Sequence, residues 1–230
     1  MQLLTLIWAE KATEAAADAV TRTSIVDIIL SSGPIGVGII GIQLVLSFVA
    51  LYIFIERFLS FKALAKEDER VMQNLRANIG SGNIQVIQSI CAGSDTPLAR
   101  MVEKGLSRLG RPMPEIENAI ENVGRVETFR LEKKVTYLSL IARIAPMFGF
   151  LGTIMGVIKI FYDISLSDNL SVGVISGGLY QKMLTSAGGL LVGIIAFLGY
   201  YFLTMMLDEL VNKLERRSIE FMDILHTPVK

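Results

Sequence analysis

The sequence predicts an all-α integral membrane protein with three transmembrane helices that extend into a helical domain outside the lipid. Three observations carry this. The first is composition: 52% hydrophobic residues and a mean hydropathy of +0.52 in 230 residues, against about 45–50% apolar residues, Gly included, in a typical soluble domain. The second is charge placement. The 22 Lys+Arg and 22 Asp+Glu cancel, yet residues 34–55, 142–162 and 179–207 hold only Arg143, Lys159 and Lys182 among them. The third is periodicity: apolar residues outside these runs recur at helical spacing, and no stretch alternates with the period of two that a strand needs. A balanced charge also argues against the basic field of a nucleic-acid binder.

Residues 1–33 read as a helix lying on the outer membrane surface. Leu3, Leu4, Ile7 and Ala15–Ala19 are interleaved with Glu10, Lys11 and Glu14, the pattern of an interfacial amphipathic segment. The apolar start MQLLTLIW lacks the positive n-region of a signal peptide, and a cleaved leader is the alternative. The first span occupies 34–56, about the 20 residues that crossing requires. Residues 57–141 form a helical domain. Leu64, Val71, Leu75 and Ile79 share one helical face until Gly80-Ser81-Gly82 breaks the run. A short helix follows over 84–91, and Ser94-Asp95-Thr96-Pro97 opens another that ends before Gly110. From Glu115 no strong breaker occurs before Pro146, so one helix runs from that domain into the second span, 142–162. A loop over 163–178, the third span over 179–207 and a tail helix over 208–230 complete the chain.

Basic residues set the orientation. Segment 56–141 carries thirteen, from Arg57 to Lys134, and loop 163–178 carries none. The positive-inside bias then places the N-terminus outside and the helical domain and tail inside.

The chemistry is limited. Cys91 is the single cysteine and His226 the single histidine, so no disulfide, thiolate cluster or histidine relay is available within the chain. There is no phosphate-binding loop or nucleophile elbow, and the expectation is a protein that is neither an enzyme nor cofactor-dependent. Residues 34–55, 142–162 and 179–207 contain no Asp or Glu, and Glu56 stands at the very end of the first span. Proton relays in bilayers commonly use a carboxylate at membrane depth, so a proton path here must borrow one from a partner. Ala145, Gly149, Gly152 and Gly156 form a smooth stripe on the second span, as do Ser186, Gly189 and Gly193 on the third. Such stripes let helices approach closely. Thr153 and Ser186 each lie eight residues from the outer end of their span, about 12 Å deep by helix rise, and can share a polar site. A hydroxyl bonded to its own helix is the plainer alternative.

The run Ala145-Pro-Met-Phe-Gly-Phe-Leu-Gly-Thr-Ile-Met-Gly-Val157 with Phe161, and Gly178-Leu-Tyr-Gln-Lys-Met-Leu-Thr-Ser-Ala-Gly-Gly-Leu190, resemble the signature helices of the MotA/TolQ/ExbB proton-channel family. Pro97-Leu98 and Gly105-Leu106 resemble its cytoplasmic segment, and three spans with the N-terminus outside fit its ExbB and TolQ members. The resemblance implies a homopentamer in a bacterial inner membrane whose second and third spans line a pore. That pore would hold an ExbD/TolR-like single-span subunit carrying the proton-binding aspartate, and proton entry would energise a TonB/TolA-like transducer. Thr153 and Ser186 fall on the family's two pore hydroxyls. Gln181 stands where an outer glutamate is found in ExbB, and Ile195 where a proline is common. A passive membrane scaffold or channel is the competing expectation.

Overall fold

The structure, a computed structural model, describes residues 33–79, 84–166 and 172–226. The expected surface helix over 1–32 lies outside them. Among the described residues all regular structure is helical: α1 (Gly33–Ile79), α2 (Ile84–Ala92), α3 (Pro97–Leu106), α4 (Met113–Leu166) and α5 (Val172–His226). Three of these are long and apolar enough to cross a membrane. The chain is a multi-pass all-α membrane protein.

The long helices exceed the lipid by a wide margin. At 1.5 Å per residue, the 47, 54 and 55 residues of α1, α4 and α5 span about 70–80 Å, against a hydrocarbon core of about 30 Å. The first span therefore continues without a break into the helix that sequence periodicity placed after Ser60. Residues 163–166 and 172–178, read from sequence as loop, prolong α4 and α5. Pro146 sits inside α4; a membrane helix tolerates this because neighbouring groups satisfy the freed carbonyl.

The described residues divide into two compact units. The first comprises the chain up to Ser47 with Arg143–Ile194, and the second Phe48–Ala142 with Ile195–Lys230. The second has an ordinary apolar core in which Val71, Met72, Leu75, Leu98, Val102 and Ile120 are fully buried, joined by Phe221 of α5. Helix α3 starts where the sequence signals it: the Thr96 hydroxyl accepts the Ala99 N–H at 3.2 Å, and Pro97 takes the first turn, where no N–H is needed. Gly110 closes the following turn at φ 88°, which favours glycine.

Only 17–22% of the residues in the apolar windows of the three long helices are buried within the chain. Phe48, Tyr52, Phe150 and Leu198 are among the large side chains left exposed. Surfaces this apolar need lipid or other polypeptide around them.

Candidate functional site

The intramembrane site belongs to the first unit, where α1, α4 and α5 meet. Its register is set by glycines. A Cβ on Gly149 would lie 2.9 Å from the Ser186 carbonyl oxygen, and one on Gly152 3.3 Å from Ile39 and 3.7 Å from Thr185. On α5, a Cβ on Gly189 would lie 2.8 Å from the Ala145 carbonyl oxygen and 3.0 Å from the Gly149 Cα. Ala145 itself is completely buried. The backbones of α4 and α5 thus touch along Ala145, Gly149 and Gly152 on one side and Thr185, Ser186 and Gly189 on the other. No larger residue fits at Gly149 or Gly189 without moving a backbone.

Gly156 has a different neighbour. A Cβ there would overlap Cγ, Cδ and Cε of Lys182, so the lysine stem lies directly across the α4 backbone. Gly156 is the groove that accepts it.

Sequence reasoning missed Gln43. Most of the first span is exposed, but Gln43 is only 5% exposed. Its Nε2 donates to the Thr185 carbonyl at 3.4 Å. The same nitrogen would be 2.5 Å from a Cβ on Gly189 and 3.4 Å from one on Gly149. The amide plugs the gap that the glycines leave. A lone amide in an apolar run is itself the signal, because an uncompensated polar group is expensive at that depth. Thr185, 7% exposed, is the second residue missed.

Of the anticipated pair, Thr153 donates its hydroxyl to the Phe150 carbonyl on its own helix at 2.6 Å. Ser186 faces Gly149 through its backbone. Because Gly152 meets Thr185 and Gly149 meets Ser186, the two residues sit within about one helical turn of each other along the bundle, but Thr153 does not give its proton to Ser186. Gly193 is buried, and the Gln181 side chain lies outside the described residues. The groups brought together are the Gln43 amide, the Thr185 carbonyl and the Ser186 backbone, in apolar surroundings, while the Thr153 hydroxyl stays on its own helix. They can bind water or hydrogen-bond a carboxyl group, and they include no acid able to carry a proton.

In the second unit several charged groups are paired. Arg76 holds Glu220 through two hydrogen bonds at 2.6 and 2.8 Å, and this contact depresses the Glu220 carboxyl below its ordinary range. Lys134 and Arg57 both bind Glu56, and Arg100 binds the buried Glu127 at 2.7 Å. Asp68 alone among the described carboxylates has both oxygens buried without a hydrogen-bond partner.

A multi-pass α-helical membrane protein with a glycine-smoothed, carboxylate-free polar site is the class that fold and site define. Residues 93–216, more than half the chain, match the MotA/TolQ/ExbB proton channel family, and the chain belongs to that family. Among its relatives is the biopolymer transport protein ExbB of Neisseria meningitidis serogroup A, 23% identical over 219 residues covering 84% of this chain and 96% of that protein. A putative ExbB homolog of Methanothermobacter thermautotrophicus is 29% identical over 119 residues, 52% of this chain and 42% of that one. The Tol-Pal system protein TolQ of Haemophilus influenzae is 26% identical over 96 residues, 42% of each chain. The family region takes in α3, α4 and most of α5. It leaves out α1, which supplies Gln43.

Proposed function

We propose that this chain is the multi-span subunit of a proton-driven motor in a bacterial inner membrane, with the N-terminus periplasmic and the second unit cytoplasmic. Five copies surround an ExbD/TolR-like single-span partner, and proton passage energises a TonB/TolA-like transducer serving outer-membrane transport or envelope processes. It is not an enzyme and needs no cofactor. The observation that carries the reading is the polar site itself. Gln43, Thr185 and Ser186 meet beside the glycines of α4 and α5, Thr153 follows Gly152 on the same helix, and residues 34–55, 142–162 and 179–207 hold no Asp or Glu. Such a site serves a carboxylate that another chain brings. Each elementary charge crossing 100 mV releases about 2.3 kcal/mol, enough to bias a mechanical step.

The chain's part is to hydrogen-bond that carboxyl in one protonation state and release it in the other. Thr153 is poised for this, since exchanging its Phe150 acceptor for a carboxylate requires only rotation about χ1. Thr153→Val preserves shape and deletes the hydroxyl, and Ser186→Ala does the same opposite Gly149. With the partner co-expressed, proton-dependent transport should fall severely in Thr153→Val and further in the double variant, while assembly persists. Unchanged transport in both, alongside an essential partner carboxylate, would overturn the role of the hydroxyls.

A second reading, a passive scaffold, is favoured by one observation: the Thr153 hydroxyl is already satisfied on its own helix. It expects assembly without any proton flux when the partner is present.

A further inference from the structure

The second unit contains a carboxylate that the proposed intramembrane site does not use. Asp68 lies on the stripe of α1 formed by Phe61, Asp68, Val71, Met72 and Leu75, all of it buried, and is itself 0% exposed. Its two oxygens approach the N-terminus of α3, near the Thr96 hydroxyl and the Leu98 N–H, yet neither has a hydrogen bond of proper geometry. The Thr96 hydroxyl oxygen is already accepting from Ala99. A fully buried carboxylate with no partner is an unstable arrangement, whereas a buried neutral carboxyl is far less costly.

The charges around it are specific. Glu67 adjoins it on α1, and the positive charge of Arg217 on α5 acts on it through space. Arg217 is already paired with Glu69, the next residue along α1. From α3 come only the N-terminal N–H groups. The first charged residue of that helix, Arg100, is held by Asp95 and Glu127. One arginine therefore stands between two acids, the exposed Glu69 and the buried Asp68.

We propose that Asp68 is a proton-operated latch. Neutral, it seats α1 against the start of α3; ionised, it draws Arg217 away from Glu69 and loosens the contact between α1 and α3. The proton binds and leaves at a carboxylate oxygen, with no other chemistry. The helix N-terminus favours the anion, and Arg217 does too, but burial outweighs both and raises the carboxyl above its ordinary 3.8. The sign follows. The unfolded chain ionises Asp68 at the ordinary value, so the stability due to the neutral form is present at low pH. It is lost as pH rises through the folded-state value. The latch tightens as its compartment acidifies. It does not depend on the proton-driven reading and stands in a different unit from the Thr153 site.

Hydrogen–deuterium exchange of the full chain in detergent, corrected for intrinsic rates, tests this from the ordinary carboxylate range upward, over all pH values at which the chain stays folded. Protection of α3 residues 97–106 and of α1 residues 61–75 should fall with rising pH in a single titration. Asp68→Asn, neutral and nearly isosteric, should hold the low-pH protection throughout. Arg217→Gln removes the cation that favours ionisation and should shift the midpoint to higher pH. A protonated-carboxyl infrared band that titrates with the same midpoint, and disappears in Asp68→Asn, provides a readout independent of packing. A flat wild-type profile, a profile unchanged in Asp68→Asn, or an Arg217→Gln midpoint moved to lower pH overturns the proposal.

Discussion

Gln43 and Cys91 show how much a single side chain's surroundings decide. Gln43 bridges α1 to α5 through one side chain–backbone hydrogen bond. Membrane hydrogen bonds of this kind average about 0.6 kcal/mol and reach about 1.7. Gln43→Leu should therefore lower stability in a detergent unfolding titration by about that range, and Gln43→Ala by more, since it also opens a void between Gly149 and Gly189. Equal stability of Gln43→Leu and wild type would mean the amide is not bonded. Cys91 is 3% exposed, and burial first, with Glu103 second, pushes its thiol up to about 11. Because the thiolate is the reactive form, Cys91 should resist a maleimide at pH 8 while the protein is folded and react once it is denatured. Rapid labelling of the native protein would contradict the burial.

The elements are held by small residues at crossings and by well-formed ends. A Cβ on Gly105 of α3 would lie 2.8 Å from Ile120 Cδ1 and 3.0 Å from Phe221. Both neighbours are at most 2% exposed and cannot withdraw. Overpacking of that kind costs about 1–3 kcal/mol, so Gly105→Val should lower the melting temperature of the helical unit more than a surface change would. A circular dichroism melt decides it. Thr96→Ala removes the N-cap acceptor of α3, at about 1 kcal/mol. Across the membrane unit, Gly156→Leu displaces the Lys182 stem, whereas Lys182→Met retains the apolar stem and deletes only the charge. Gly156→Leu should destabilise the α4–α5 crossing and Lys182→Met should not, again by unfolding titration. The reverse order would show that the ammonium, rather than the stem, holds the contact.

At the scale of the molecule, the exposed apolar surfaces of all three long helices call for company. Native mass measurement in detergent should find an oligomer, five chains in the proposed assembly; a monomer under all conditions would remove the pore. Orientation is testable in a Cys91→Ser background. Ser165→Cys, near the C-terminal end of α4 and outside in the proposed topology, should react with an impermeant reagent added outside, and Ser107→Cys, just after α3, should not. The opposite pattern would invert the proposed topology.

The sequence by itself determined that the chain is helical, that it crosses the membrane three times and that it carries the family's signature helices. Hydropathy and helical period are local properties, readable over about 20 residues. The continuity of α4 through Pro146 was legible for the same reason, because nothing stronger interrupts it. The partners of each face were not legible. Which residues fill the α4–α5 crossing depends on a register between segments some 40 residues apart, and on a third helix more than 100 residues earlier. Only the tertiary structure placed Gln43 among the glycines and laid Lys182 over Gly156. Asp68 is the clearest case. It sits four residues after Leu64 and three before Val71, on the apolar face the sequence already outlined, but nothing in the sequence shows whether its carboxylate meets water or protein. Only the packing of α3 against that face put the carboxylate out of reach of water.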